Sequence, residues 1–168
     1  HDLWSGGDET WLYKFGEELA EIKVGPENET IDSPLLDELC YEPFSWQNAP
    51  CADSFNKDRI NKTVNVEGML TLGAVSNFMI SLDDMFTSSG NYYHVDYAQD
   101  STGEYLRKRE YAQWDLDSAL EMKKADVSIF NPSRRDKDAF SEILISTANS
   151  PFRTEYEEIM WFALRAPL

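Results

Sequence analysis

The apolar positions near the amino end of the chain recur at the spacing of an α-helix, with the intervening glutamates outside the apolar stripe. Such a pattern is typical of a helix that packs one face against a core. Asp8 or Thr10 is a suitable N-cap, and Gly25-Pro26 is a suitable stop. We therefore predict an amphipathic helix whose buried stripe consists of Trp11, Leu12, Phe15, Leu19 and Ile22.

The segment from Asn61 to Phe86 is the most apolar part of the chain, and its apolar residues cover nearly the whole circumference of a helix. A helix of this kind belongs at the centre of a bundle. Residues 63–66 alternate between β-branched and polar side chains, so a short strand remains an alternative at the start of this segment.

Four further helices follow from the pattern. The predicted helices are a short one capped by Ser33, a long one from Thr102 to about Ile129, a shorter one around Ala139–Leu144 and a last one from about Thr154. Asn91–Asp100 is rich in aromatic residues without a clear period, so we expect a loop packed on the helices. We predict a single, mainly α domain over residues 1–168: a helical bundle with a stapled loop and short satellite helices.

The two cysteines, Cys40 and Cys51, bracket a stretch rich in aromatic and turn residues. A disulfide between them would close a loop and stabilise the fold by about 3 kcal/mol. The alternative is two free thiols in a reducing compartment. Acceptor sequons at Asn28 and Asn61 also permit a secretory route, so we expect an oxidising compartment, either extracellular or secretory or the thylakoid lumen.

The composition restricts the partners of the chain. Apolar residues make up 42% and aromatic residues 13% of the sequence, which is too high for a disordered acidic tail. The net charge of -16 repels phosphate backbones, so we expect no nucleic-acid partner. The uncharged stretch Gly68–Leu82 is too short and too polar to span a membrane.

Enzymatic signatures were sought and are missing from the sequence. It contains no G-x-S-x-G, no G-x-x-x-x-G-K-[ST], no G-x-G-x-x-G and no H-E-x-x-H, which removes the common hydrolase, phosphate-binding, dinucleotide and zinc-protease motifs. We expect no catalytic residues and no cofactor.

The two histidines raise one metal hypothesis. If His1 is the mature amino terminus, its amine and ring together with His94 could hold copper, an arrangement that resembles the histidine brace of lytic polysaccharide monooxygenases. Those enzymes are β-sandwiches, and the helical periodicity here opposes that fold. The alternative is that His94 is a hydrogen-bonded imidazole within an aromatic loop.

The basic run Arg107-Lys108-Arg109 stands out in an acidic chain. We expect these basic residues to pair with carboxylates of the same chain, at small net energy. The alternative is that they dock onto an acidic partner or a membrane-complex surface together with the aromatic pair Tyr92-Tyr93, since aromatic residues and arginine are enriched at protein interfaces.

One stretch resembles a known family. Leu82-Asp83-Asp84, then Glu104-Tyr105-Leu106, Tyr111 and Leu116–Leu120, is similar to the third-to-fourth helix region of PsbQ-like extrinsic proteins, four-helix bundles on the lumenal side of photosystem II. The resemblance covers under a third of the chain and rests on generic bundle residues. The strong acidity, the cysteine loop and the helices after Pro132 depart from the family.

The resemblance implies a non-catalytic accessory subunit that docks on a photosynthetic complex at the membrane. Aromatic-rich segments and the missing enzymatic motifs likewise favour an accessory or structural subunit of a larger assembly. A secreted ligand-binding module is the alternative, and a copper histidine-brace protein is the third hypothesis.

Overall fold

The computed structural model describes residues 10–15, 21–24, 57–79, 81, 86, 91–104, 107–114, 144–145 and 147–165. These residues form four strands and three helices. The elements are β1 (Thr10–Phe15), β2 (Glu21–Val24), α1 (Lys57–Thr63), α2 (Val66–Phe78), β3 (Tyr92–Tyr97), β4 (Glu110–Gln113) and α3 (Arg153–Arg165).

The four strands form one antiparallel sheet in the order β2-β1-β3-β4. β3 lies between β1 and β4, and its sequence, Tyr-Tyr-His-Val-Asp-Tyr, is rich in aromatic side chains that suit a pleated surface. Thr10 lies opposite Tyr97 and Phe15 opposite Tyr92, so β1 pairs with β3 along its whole length. His94 lies opposite Tyr111 on β4.

The sheet shows that the predicted helical bundle is wrong. The first predicted helix is replaced by β1 and β2 in the described residues. Along β1, Trp11 and Tyr13 are buried while Leu12 and Lys14 are only partly buried, which is the period of a strand. Tertiary pairing with β3 therefore overrides the helical spacing of this segment.

Two more predictions fail for the same reason. The aromatic segment predicted as a loop contains β3, and the long helix predicted from Thr102 contains β4 in its described part. A turn precedes β4: the Asp100 carboxylate accepts hydrogen bonds from the Thr102 backbone N–H at 2.7 Å and the Thr102 hydroxyl at 2.6 Å. Gly103, with φ 86°, supplies the left-handed backbone that this turn needs.

Two helix predictions are confirmed. α2 occupies the first half of the apolar segment, and α3 begins one residue before the predicted start at Thr154. The short strand considered near residue 64 is a single bridge, between Val64 and Arg109. α2 is not enclosed on all sides, however, because Val75 and Phe78 at its carboxyl half remain 49% and 64% exposed.

The core lies between α2, α3 and one face of the sheet. Phe86 fills the space beside Gly73 of α2, where an added Cβ would come within 2.6 Å of the Phe86 ring. Phe86 also stacks on Tyr156 of α3, with ring centroids 6.3 Å apart. The fully buried members of this cluster include Leu70, Phe86, Leu144, Ile145, Phe152 and Tyr156.

The turn between α1 and α2 is tied to the sheet by backbone hydrogen bonds. Arg109 N donates to Thr63 O at 2.7 Å, and Asn65 N donates to Arg109 O at 2.9 Å. The Asn65 side chain caps α2 by accepting a hydrogen bond from Gly68 N, and its amide donates to Glu110 at 2.9 Å. Asn65 thus fixes where α2 begins relative to β4.

Several predictions fall outside the described residues: the Cys40–Cys51 disulfide, the sequon at Asn28 and the helix at Ser33. The described residues include neither Cys40 nor Cys51 and therefore contain no disulfide. Within that same part, none of the helices has the length and apolar content needed to cross a membrane.

Candidate functional site

A row of polar and aromatic side chains crosses the sheet, and two of its three members, Tyr13 and His94, are buried. Because β1, β3 and β4 are antiparallel with paired registers, Tyr13, His94 and Tyr111 form one row on the same face. The His94 ring lies 4.8 Å from the Tyr13 ring and 6.0 Å from the Tyr111 ring, centroid to centroid. His94 is therefore held between two aromatic side chains in the sheet.

Asp96 and Arg109 form a forked ion pair beside this row. Arg109 Nε donates to Asp96 Oδ1 at 2.5 Å, and Nη2 donates to Oδ2 at 2.7 Å. The side chains of Asp96 and Arg109 are 0% and 5% exposed. His94 Nε2 lies 3.7 Å from Asp96 Oδ2. A buried carboxylate and guanidinium in this geometry satisfy each other's charge and several of each other's hydrogen-bonding positions.

Burial and the neighbouring Arg109 charge hold the pKa of His94 well below its usual value. Burial also raises the pKa of Tyr111, against the opposing effect of Arg109. Although burial works to lower the pKa of Arg109, Asp96 and Tyr111 raise it above its usual value. His94 is consequently neutral and Arg109 charged at pH 7. His94 and Asp96 are 2% and 0% exposed, so these two side chains lie inside the fold.

An accessible groove lies between α2 and α3 in the part of the chain that the structure describes. Its volume is about 910 Å³, and its walls are mostly aliphatic and aromatic. α2 contributes Val66, Leu70, Thr71, Ala74, Val75 and Phe78, and α3 contributes Ile159, Phe162 and Ala163. We call this the α2–α3 groove. Its size is within the range of about 300–1,000 Å³ that ligand-binding pockets occupy.

The groove exists because each helix carries more apolar surface than the core covers. On α3, Tyr156 and Met160 face the core, whereas Phe162 is 79% exposed. On α2, Leu70 and Ala74 face the core, and Val75 and Phe78 continue the apolar surface outward. Adjacent helices with such residues leave a continuous apolar surface in contact with water.

The charged residues of the groove are all acidic: Glu67, Glu155 and Glu158. Glu155 pairs with Lys57 of α1. Partial burial raises the pKa of Glu155, but the hydrogen bond from Lys57 outweighs it and the net shift is downward. Glu67 and Glu158 are exposed. The groove therefore combines an apolar lining with negative charge.

The residues predicted as a docking surface are divided by the structure. Arg107 and Lys108 are exposed, while Arg109 and Tyr92 are buried and cannot reach a partner at the surface. Arg109 pairs with Asp96 of its own chain, as expected from the sequence. Arg107 lies over the ring of Tyr97 at 5.7 Å.

The other candidates are placed as follows. Tyr93 is partly buried and contacts Trp114, with ring centroids 6.2 Å apart. His94 lies in the sheet rather than in a loop, and His1 falls outside the described residues. Among the residues described, no group of three or more histidine, cysteine, aspartate or glutamate side chains is arranged to hold a metal ion.

The α2–α3 groove was not predicted from the sequence. Its signal was available in two places: an apolar helix without a polar face at residues 66–78, and the adjacent aromatic residues Trp161-Phe162 on a helix whose first half is strongly acidic. The first was interpreted as a helix enclosed at the centre of a bundle. Only the packing of α2 beside α3 distinguishes a covered surface from an open one.

Comparisons of the chain with protein-family models, with curated proteins and with solved structures found no match. None of them supports a role in photosystems or in the thylakoid lumen. The four-helix bundle that the PsbQ-like resemblance implies is contradicted by the four-stranded sheet. The function must therefore be argued from the α2–α3 groove.

Proposed function

We propose that this chain is a non-catalytic protein-binding domain that docks on a larger assembly by taking the apolar face of a partner helix into the α2–α3 groove. The observation that carries the proposal is the exposure of large apolar side chains, Phe78 and Phe162, along a groove formed by two helices. Helix-in-groove docking uses this combination of features.

The energetics favour an occupant with a large apolar surface. Covering one exposed phenylalanine side chain contributes about 1.5–3 kcal/mol. Phe78, Val75 and Phe162 together therefore offer a driving force of several kcal/mol to any partner that removes them from water. Interfaces typically concentrate their binding energy in a few such side chains.

A selection experiment tests the proposal. A displayed library of amphipathic helical peptides is selected on the folded protein, and the affinities of the recovered peptides are measured for Phe78→Ser and Phe162→Ser. We expect each substitution to weaken binding by about ten-fold or more, because an apolar anchor is lost. Leu164→Ser is the matched control, since Leu164 is exposed on α3 but is not part of the groove lining.

Recovered peptides that bind Phe78→Ser and Phe162→Ser as tightly as the unchanged protein would refute docking in the groove. So would a selection that yields no binder. Both substitutions replace exposed side chains, so the fold should tolerate them.

A small apolar ligand is the alternative occupant, favoured by the groove volume of about 910 Å³. A small ligand and a helix would contact different lengths of the groove. A small ligand needs only a local cluster of lining residues, whereas a helix needs both ends of α2. Equal loss of affinity from Val66→Ser and Phe78→Ser supports the helix, and loss confined to one end supports the ligand.

A further inference from the structure

We infer that the partner segment is a cationic amphipathic helix of three to four turns, with basic side chains flanking an apolar stripe. This inference rests on the proposed function and names the chemistry of the partner. It is drawn from the length of the groove, from the sign of its charges and from the fact that one of those charges is already paired within the chain.

The length of the occupant follows from α2. Lining residues run from Val66 to Phe78, and a rise of 1.5 Å per residue makes this distance about 18 Å. A partner helix lying along the groove would therefore contact it over about 12 residues. Its apolar stripe would need residues at i, i+3, i+4 and i+7 to follow the groove floor.

The charge of the occupant follows from the carboxylates of the groove. Glu155 already has a cationic partner in Lys57, whereas Glu67 and Glu158 are exposed at the groove. A partner that brings further carboxylates to this site would be repelled, and one that brings lysine or arginine would gain two ion pairs at the groove margin.

The whole chain reinforces this preference. Its net charge of -16 attracts cationic partners over distances set by the Debye length, about 8 Å at physiological salt. The effect should appear mainly in the association rate. The apolar contacts should set the dissociation rate.

Three synthetic peptides of about 14 residues test the inference. They share one stripe of leucines at helical spacing and differ only in the remaining positions, which are lysine-rich, glutamate-rich or glutamine-rich. Affinities are measured by fluorescence anisotropy of labelled peptide for the unchanged protein, for the double variant Glu67→Gln/Glu158→Gln and for Phe162→Ser.

We expect the lysine-rich peptide to bind at least about ten-fold more tightly than the glutamate-rich one. The double variant should weaken the lysine-rich peptide by up to about five-fold for each carboxylate removed and leave the glutamine-rich peptide unchanged. Glu104→Gln is the control for one charge, because it removes a single carboxylate from an exposed turn that is not part of the groove lining; its effect is compared with half of the change in binding free energy of the double variant.

The outcomes separate the two claims. Equal affinity for the lysine-rich and glutamate-rich peptides, together with loss of both in Phe162→Ser, would overturn the cationic partner and leave helix docking in place. Lysine-dependent binding that Glu104→Gln weakens as much as the groove variant does would overturn the role of Glu67 and Glu158. Failure of all three peptides to bind would overturn the inference and count against the proposed function as well.

Discussion

Replacement of Asp96 by asparagine should destabilise the protein strongly, because it leaves the Arg109 guanidinium charged and uncompensated inside the fold. Asp96 accepts two charge-assisted hydrogen bonds from Arg109, at 2.5 and 2.7 Å. Asparagine has nearly the same volume, but it is neutral, and its amide group would face one of the two donors. Breaking a buried pair in this way costs about 3–5 kcal/mol.

For a chain of this length, 1 kcal/mol corresponds to about 2–4 °C in Tm, so Asp96→Asn should lower Tm by about 6–20 °C. Urea unfolding followed by circular dichroism and by tryptophan fluorescence measures the free energy of unfolding directly. Coincidence of the two probes establishes that one unfolding free energy describes the change.

A double-mutant cycle tests the reason for the loss. Arg109→Met and Asp96→Leu should each be costly, while the double variant should cost less than the sum by at least about 2 kcal/mol, since no charge remains buried. Asp96 and Arg109 do not compensate each other's charge inside the fold if Asp96→Asn lowers the free energy of unfolding by less than about 1 kcal/mol, or if the losses in the cycle are strictly additive.

The remaining predictions concern the same core and its edges. The pKa of His94 in the folded state is depressed below its usual value of 6.5, so the folded state binds fewer protons than the unfolded state. The free energy of unfolding should therefore be at its full value above pH 6.5 and should fall below pH 6.5, by up to about 1.4 kcal/mol per pH unit. His94→Gln should flatten that slope in urea unfolding measured from pH 7.5 down to about 5, and an unchanged slope would contradict the assignment. Gly73→Ala should lower the free energy of unfolding by about 1–3 kcal/mol despite its better helix propensity, because the new methyl group meets the Phe86 ring; a stabilised variant would show that the contact is loose. Asn65→Ala should lower the free energy of unfolding by about 1–2 kcal/mol, because the α2 cap and the hydrogen bond to Glu110 are both lost. If Asn65→Asp recovers most of that free energy, the loss comes from the cap.

The two main helices could be predicted because their signals are local. α2 and α3 are continuous segments whose apolar spacing, caps and stops are read within a few turns. The structure adds that α2 ends at Phe78, where the sequence pattern continues to Phe86. Helix type was therefore predictable, and the boundary was not.

The sheet could not be predicted from the same patterns. β1 pairs with β3, which lies far from it in the sequence, so the two strands meet only in the folded chain. Without knowledge of that pairing, the apolar residues of Thr10–Phe15 together with Leu19 and Ile22 follow the spacing of a helix. Pairing with the aromatic strand β3 makes this segment a strand, because a residue in a strand is stabilised mainly by contacts with its cross-strand neighbours.

The sequence did not point to the α2–α3 groove. The docking prediction came from aromatic-rich segments and from the missing enzymatic motifs, and it continues as the proposed function. The structure divides the predicted docking residues, because Tyr92 and Arg109 are buried whereas Arg107 and Lys108 are exposed. The exposed side chains of Phe78 and Phe162 were not part of that prediction. Local patterns do not distinguish an apolar side chain that meets a neighbour from one that meets water.

The most direct test of the central claim is an amide chemical-shift map of the isotope-labelled protein titrated with the lysine-rich helical peptide. If the peptide docks in the α2–α3 groove, the largest changes in amide chemical shift should lie at residues 66–78 and 155–163. The changes at β3, Tyr92–Tyr97, should be much smaller. Perturbations centred on the sheet or on Arg107-Lys108, with α2 and α3 unaffected, would contradict docking in the groove.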